Sequence, residues 1–457
     1  MKSYRATPFI VASSVFGLLA VLFVTGHRDA YHAILHGWGV DSFVFPFLDI
    51  EGMLSSIRCL RLGIDVFATN PCDVLGRVFD YPPIWLLLAN MQLLLSDCGT
   101  LELPSAIPLH RAVRLWSIYR ARIGGYVSYR PELDGLRALA VLAVVLFHSA
   151  PQGPVVGGFL GVDLFFVLSS FLITSILVRQ PDLRRFYLRR AARLMPALGL
   201  FLLVYVAIAP SVWPGHPHGR DALLAGLYLS DYSYALTATP LYLRHTWSLA
   251  IEEQFYLLWP LALLLLSRTR KPILWLGAAW IAFTIWRTMH ADQQVQSYYR
   301  LDTHGTGLIL GAMLFFSGWR GSAVTAWAGI VIFGVLSFTA QFAAAWSAIP
   351  LAELAAALLI GSAASLRFLT NPALVWLGKW SYAIYLWHFP VSLITREHLP
   401  FFASAAVTLG FAVVAAAISW ATVEAWGRTL RDRIEARRRI EVGVLAGDPV
   451  SRKNARA

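Results

Sequence analysis

Apolar runs alternate along this chain with short segments rich in arginine, and the alternation can be solved as a topology. The first run, Pro8 to Gly26, follows Lys2 and Arg5 and is not closed by an Ala-X-Ala-like site, so it reads as an uncleaved anchor. Residues 27–80 are mixed and read as an outside loop. A second, shorter run, Tyr81 to Leu95, opens with a Pro pair and crosses only if the bilayer thins or neighbours pack on it. The basic segment after it, with Arg111, Arg114, Arg120, Arg122, Arg130 and Arg137, favours a crossing.

From Leu133 the same logic places ten further spans. Leu139 to Ala150 leads out, and Phe159 to Val178 returns to six arginines, Arg179, Arg184, Arg185, Arg189, Arg190 and Arg193. Leu194 to Trp213 leads out to a turn holding His216 and His218, read as solvated. Residues 221–246 are assigned to a re-entrant or surface segment, because a crossing there would put Arg268, Arg270 and Lys271 outside. Trp247 to Leu266, Ile273 to Met289, Gly305 to Phe316, Val324 to Phe342, Leu351 to Leu366, Trp380 to Thr395 and Phe402 to Val423 complete the set. The expected fold is therefore an all-α polytopic membrane protein. It has a ten-span core, two extra N-terminal hydrophobic segments and both termini cytoplasmic.

Composition supports the class and narrows the chemistry. The chain of 457 residues is 57% hydrophobic and only 14% charged, far from soluble averages. Its net charge of +12 would suggest nucleic acid in a soluble protein, but in a bilayer it reads as topology signal and no nucleic-acid partner is expected. The three cysteines, Cys59, Cys72 and Cys98, precede the core. Cys59 and Cys72 either pair in the outside loop or stay unpaired. In both cases the core has no thiol nucleophile, and no metal role is expected.

Ionisable groups inside spans are costly and so are candidates for function. Arg137 and His148 lie on one helix, eleven residues and about 16 Å apart. Asp163 with Ser169, Trp247 with Glu252 and Glu253, Asp302 with His304, and His388 occupy the spans that follow. Histidines and carboxylates in the outer half would suit general acid/base work. The six arginines would suit phosphate, although positive-inside charge alone also explains them.

These residues lie in blocks that resemble the membrane-bound acyltransferase 3 family, which contains bacterial O-antigen and exopolysaccharide O-acetyltransferases. The blocks run in order: Tyr129 to His148, Gly158 to Ser169, Phe186 to Arg193 with Pro196, Thr246 to Tyr256, Tyr299 to His304, and Trp380 to Pro390. A basic residue, ten residues and then His is the family's spacing, matched by Arg137 and His148. One departure is Ser170, where the family usually has Gly.

The resemblance implies a plasma (inner) membrane acyltransferase domain over residues 126–425, an N-terminal extension over 1–125 and a basic cytoplasmic tail over 426–457. It implies transfer of an acyl group, usually acetyl, from cytoplasmic acyl-CoA as co-substrate to a hydroxyl of a surface glycan or lipid-linked saccharide, with no bound cofactor. His148, Arg137 and Glu252 would be catalytic, and Arg189, Arg190 and Arg193 would serve the donor. Asp163, Ser169, Trp247, Glu253, Asp302, His304 and His388 would support them. Two other readings stand beside it: a proton-coupled transporter and an inactive scaffold of a glycan-assembly complex.

Overall fold

The computed structural model describes residues 129–179, 182–269, 271–430 and 432. The two N-terminal hydrophobic runs, the cysteines and most of the basic tail lie outside these residues.

Helix α1, Pro131–Ser149, starts where Pro131 supplies a preset φ and Glu132 and Asp134 face the positive end of the helix dipole. A tight turn leads into α2, Gly161–Arg179, and then into α3, Leu183–Val212, whose N-cap Asp182 accepts from the Arg185 backbone N–H. At 30 residues α3 is about 45 Å long, more than a bilayer core needs, so its first turns carry the arginines beyond the apolar stretch. Two short helices follow, α4, His218–Gly226, and α5, Ser230–Thr237, each too short to cross. Then come α6, Trp247–Leu266, and α7, Pro272–Met289.

The second half begins with short α8, Gln294–Tyr299, and α9, Leu301–His304, which lead into α10, Thr306–Ser317. Gly318 ends α10 at φ +61°, a left-handed cap that suits glycine. Helices α11, Ala323–Thr339, and α12, Ala345–Ser362, form a hairpin. Short α13, Pro372–Lys379, precedes α14, Ser381–His398, and α15, Phe401–Ala421. No strand occurs among the described residues.

Each of the ten segments expected to cross falls on a helix. Five helices are long and apolar enough to span a membrane: α2, α3, α6, α12 and α15, with their adjoining turns. Helices α10 and α11 are apolar but shorter, and α1 carries Glu132, Asp134 and Arg137 in its first two turns. Prolines inside α3, α6, α12 and α14 are tolerated because neighbouring helices shield the freed backbone groups.

The core is built on α2, which packs against α1, α10 and α12, while α14 packs against α1 and α15. At the α2–α10 contact Gly311 is required, since a Cβ there would lie 2.1 Å from the Val167 carbonyl oxygen. Close approach thus comes from the α10 side. Ser170, one turn along, is fully buried and its hydroxyl has no hydrogen-bond partner among the described residues.

The turn after α3 departs from expectation. His218 is buried, with Nε2 donating to the Trp213 carbonyl at 2.8 Å and Nδ1 accepting from the Tyr205 hydroxyl at 2.8 Å. His216 bonds Asp221 at 2.9 Å. The turn folds back onto α3 beneath Tyr242, whose ring stacks on Trp213, so His218 braces the loop from inside while His216 stays partly exposed.

Candidate active site

Two cavities among the described residues hold most of the expected site residues. The larger, about 600 Å³, holds His148 from the end of α1, Arg244 from the turn before α6, and the aromatic rings of Trp247, Tyr298, Tyr299 and Phe342. His148 Nδ1 lies 3.1 Å from Nε2 of His388 on α14, and His388 Nδ1 lies 2.6 Å from the Tyr385 carbonyl oxygen.

This chain of contacts dictates the tautomers. A carbonyl only accepts, so His388 carries its proton on Nδ1, and a neutral His388 must accept at Nε2. His148 therefore donates from Nδ1, which leaves the lone pair on its Nε2. That nitrogen is the atom a general base needs. A second imidazole, not a carboxylate, orients it.

The smaller cavity, about 110 Å³, has a different character. Arg137 from α1, Arg190 and Arg193 from α3, and Glu252 and Tyr256 from α6 line it, with Ser169 of α2. Its charges are held in place. Arg190 bonds Glu253 at 3.2 Å and lies 3.6 Å above the Tyr256 ring. Tyr256 donates to Glu252 at 2.8 Å and so accepts from Ser169. Arg137 pairs with Asp134 at 2.7 Å, and Asp134 also accepts from Tyr129. Arg193, one turn beyond Arg190, is exposed within this cavity.

The remaining expected residues brace the walls. His304 Nδ1 donates to the Tyr298 carbonyl at 2.5 Å, and its Nε2 lies 2.9 Å from Asp163 on α2; both side chains are wholly buried. The His304 ring stacks on Trp247, centroids 5.0 Å apart, and so sets the wall of the larger cavity. Asp302 is held by Arg300 at 2.8 Å, Tyr232 at 3.0 Å and Trp286 at 3.3 Å. Arg189 sits between the other α3 arginines and does not line either cavity.

The expected residues thus fall into two groups. His148 and His388 meet on one side, and Glu252, Glu253, Ser169, Arg137, Arg190 and Arg193 on the other. Glu252 does not reach the histidines. Four contributors were not singled out from the sequence: Arg244, His245, Tyr256 and Tyr385. His245 stacks on Phe389 at 4.8 Å and bonds the Leu386 carbonyl at 3.1 Å, behind His388. The one available signal was position, since Arg244 and His245 directly precede the Thr246–Trp247 block.

A basic cavity backed by a histidine-bearing one offers anion-binding groups on one side and a proton acceptor on the other. A family model described as an acyltransferase domain matches residues 130–424, and the chain belongs to that family, acyltransferase 3. By family it is an acyltransferase. It is similar to the O-acetyltransferase OatA of Staphylococcus aureus strain NCTC 8325 / PS 47, 31% identical over 324 residues, covering 59% of this chain and 52% of that protein. The same protein of strain COL gives the same figures. The chain spans about half the length of the curated relatives it matches. No solved structure matches.

Proposed function

We propose that this protein is a ten-span O-acyltransferase of the plasma membrane. It takes an acetyl group from cytoplasmic acyl-CoA and moves it to a hydroxyl of a surface glycan or lipid-linked saccharide. One observation carries the reading: the arginine cavity and the histidine cavity stand back to back, with Val162 and Tyr385 common to both walls. The relatives' printed name, O-acetyltransferase, supports it.

In this reading the arginine end faces the cytoplasm, as positive-inside charge favours. Arg190 and Arg193 grip the phosphates of CoA, with Arg190 held in register by Glu253 and the Tyr256 ring. Glu252 and Ser169 position Tyr256 beneath it. On the other side His148 Nε2 removes the acceptor's proton as its oxygen attacks the thioester carbon. The C–S bond breaks and the proton ends on the departing thiol. With no cysteine after Cys98, direct transfer is favoured over an acyl-enzyme.

The test compares acetyl content of surface glycan in cells with and without the protein, followed by labelled transfer from acetyl-CoA by purified protein. Equal acetyl content would sink the reading, and solute uptake coupled to a pH gradient without CoA release would favour a transporter. Two further results are expected. Arg193→Ala should raise the KM for acetyl-CoA by about 10- to 100-fold, the loss of one or two charge-assisted bonds, with a smaller change in kcat. An unaltered KM would remove Arg193 from the donor site. His388→Phe keeps the packing but takes away the acceptor for His148 Nδ1–H, so kcat should fall about tenfold or more while the KM for acetyl-CoA holds.

A further inference from the structure

Val162 of α2 and Tyr385 of α14 are the two residues that line both cavities, so an aliphatic and an aromatic side chain stand between them. Both are buried. Tyr385 is held from two sides: its hydroxyl donates to the His245 carbonyl at 2.8 Å and accepts from Ser248 at 2.6 Å. Its own carbonyl receives His388 Nδ1, the bond that sets the tautomer of His148. A residue shared by both cavities is thereby the one that aligns His148.

A partition here has a chemical consequence. The larger cavity is roomy enough for several waters, and water competes with any saccharide hydroxyl for an acyl group that enters it. In transfer, the acceptor oxygen bonds the acyl carbon, the C–S bond breaks, and the hydroxyl proton passes through His148 to the thiol. In the wasteful reaction a water oxygen takes the acceptor's place, giving free carboxylic acid and CoA thiol.

Resting on the acyl-transfer reading, we propose that Tyr385 and Val162 form a partition that meters the acyl group between the cavities. The Tyr385 ring limits acyl length and keeps water from the thioester until an acceptor is in place. A smaller side chain at either position joins the two cavities.

The experiment uses the full chain in proteoliposomes, with acetyl-CoA or butanoyl-CoA, with and without surface glycan from cells lacking the protein. Released CoA thiol and acylated glycan are both measured. Wild type should release CoA in step with acetyl transferred. Tyr385→Ala should raise CoA release per acetyl transferred, and use of butanoyl-CoA relative to acetyl-CoA, each by about tenfold or more. Val162→Ala should shift both ratios the same way by less, and Tyr385→Phe, which keeps the ring, should leave them near wild type. Wild-type ratios in Tyr385→Ala would overturn the partition, as would a Tyr385→Phe protein as uncoupled as Tyr385→Ala. If Tyr385→Ala does not reach the membrane, Val162→Ala decides, and unchanged ratios there count against the proposal. A wild-type protein that moves no acetyl from acetyl-CoA would instead overturn the acyl-transfer reading itself.

Discussion

Replacing His148 by alanine is expected to lower acetyl transfer by about 10²- to 10⁴-fold while the protein inserts in wild-type amount. The magnitude follows from what the side chain does. His148 is half-buried at the end of α1 and touches His388 at 3.1 Å without anchoring a helix, so its removal leaves the packing of α1 on α2 and α14 intact. What disappears is the Nε2 lone pair, whose availability depends on the bond order running from the Tyr385 carbonyl through His388. Labelled acetyl on glycan per mole of membrane protein measures it. Undiminished transfer would remove His148 from the chemistry and with it the reason for the His388 contact. His148→Gln, which keeps a donor toward His388 but has no imidazole lone pair, should be as inactive as alanine.

The order of helices was largely legible in the sequence because hydrophobic runs and arginine clusters are one-dimensional signals. Each of the ten segments expected to cross after Leu133 is helical, and the 221–246 region, set aside on charge grounds, contains only α4, α5 and a short turn. The composition of the site was less legible. Depth along a span can be counted at about 1.5 Å per residue, but the facing direction and tilt depend on neighbours. Glu252 lies near the Trp247 end of α6, which suggested company with His148. The long α3 instead carries Arg190 upward, so that Glu252 and Glu253 meet it from the other side. The His148–His388 contact joins residues 240 apart, and no local pattern announces it.

Arg287 and Glu353 are also ionisable groups inside expected spans, but they lie outside every block that carries the family resemblance. Their removal should have the largest effect on stability. Arg287 of α7 and Glu353 of α12 are both wholly buried, 3.9 Å apart, and are joined through Thr306. Glu353 also accepts from Trp280 at 2.8 Å, and Arg287 donates to the Thr303 carbonyl at 3.3 Å. Glu353→Leu leaves the guanidinium buried without a counter-charge and is expected to cost about 3 to 5 kcal/mol, read as a lowered unfolding midpoint of the detergent-solubilised protein. Arg287→Met should cost a similar amount. The double variant should regain most of the loss, since a buried pair exchanged for apolar groups is often close to neutral. Simple addition of the two losses would mean that the groups act independently. The pair matters to the site through Thr306, two residues from His304, whose ring backs Trp247 in the histidine cavity. A double variant that is stable yet slow in transfer would show that these buried charges serve to hold that wall, with stability as the lesser part of their role.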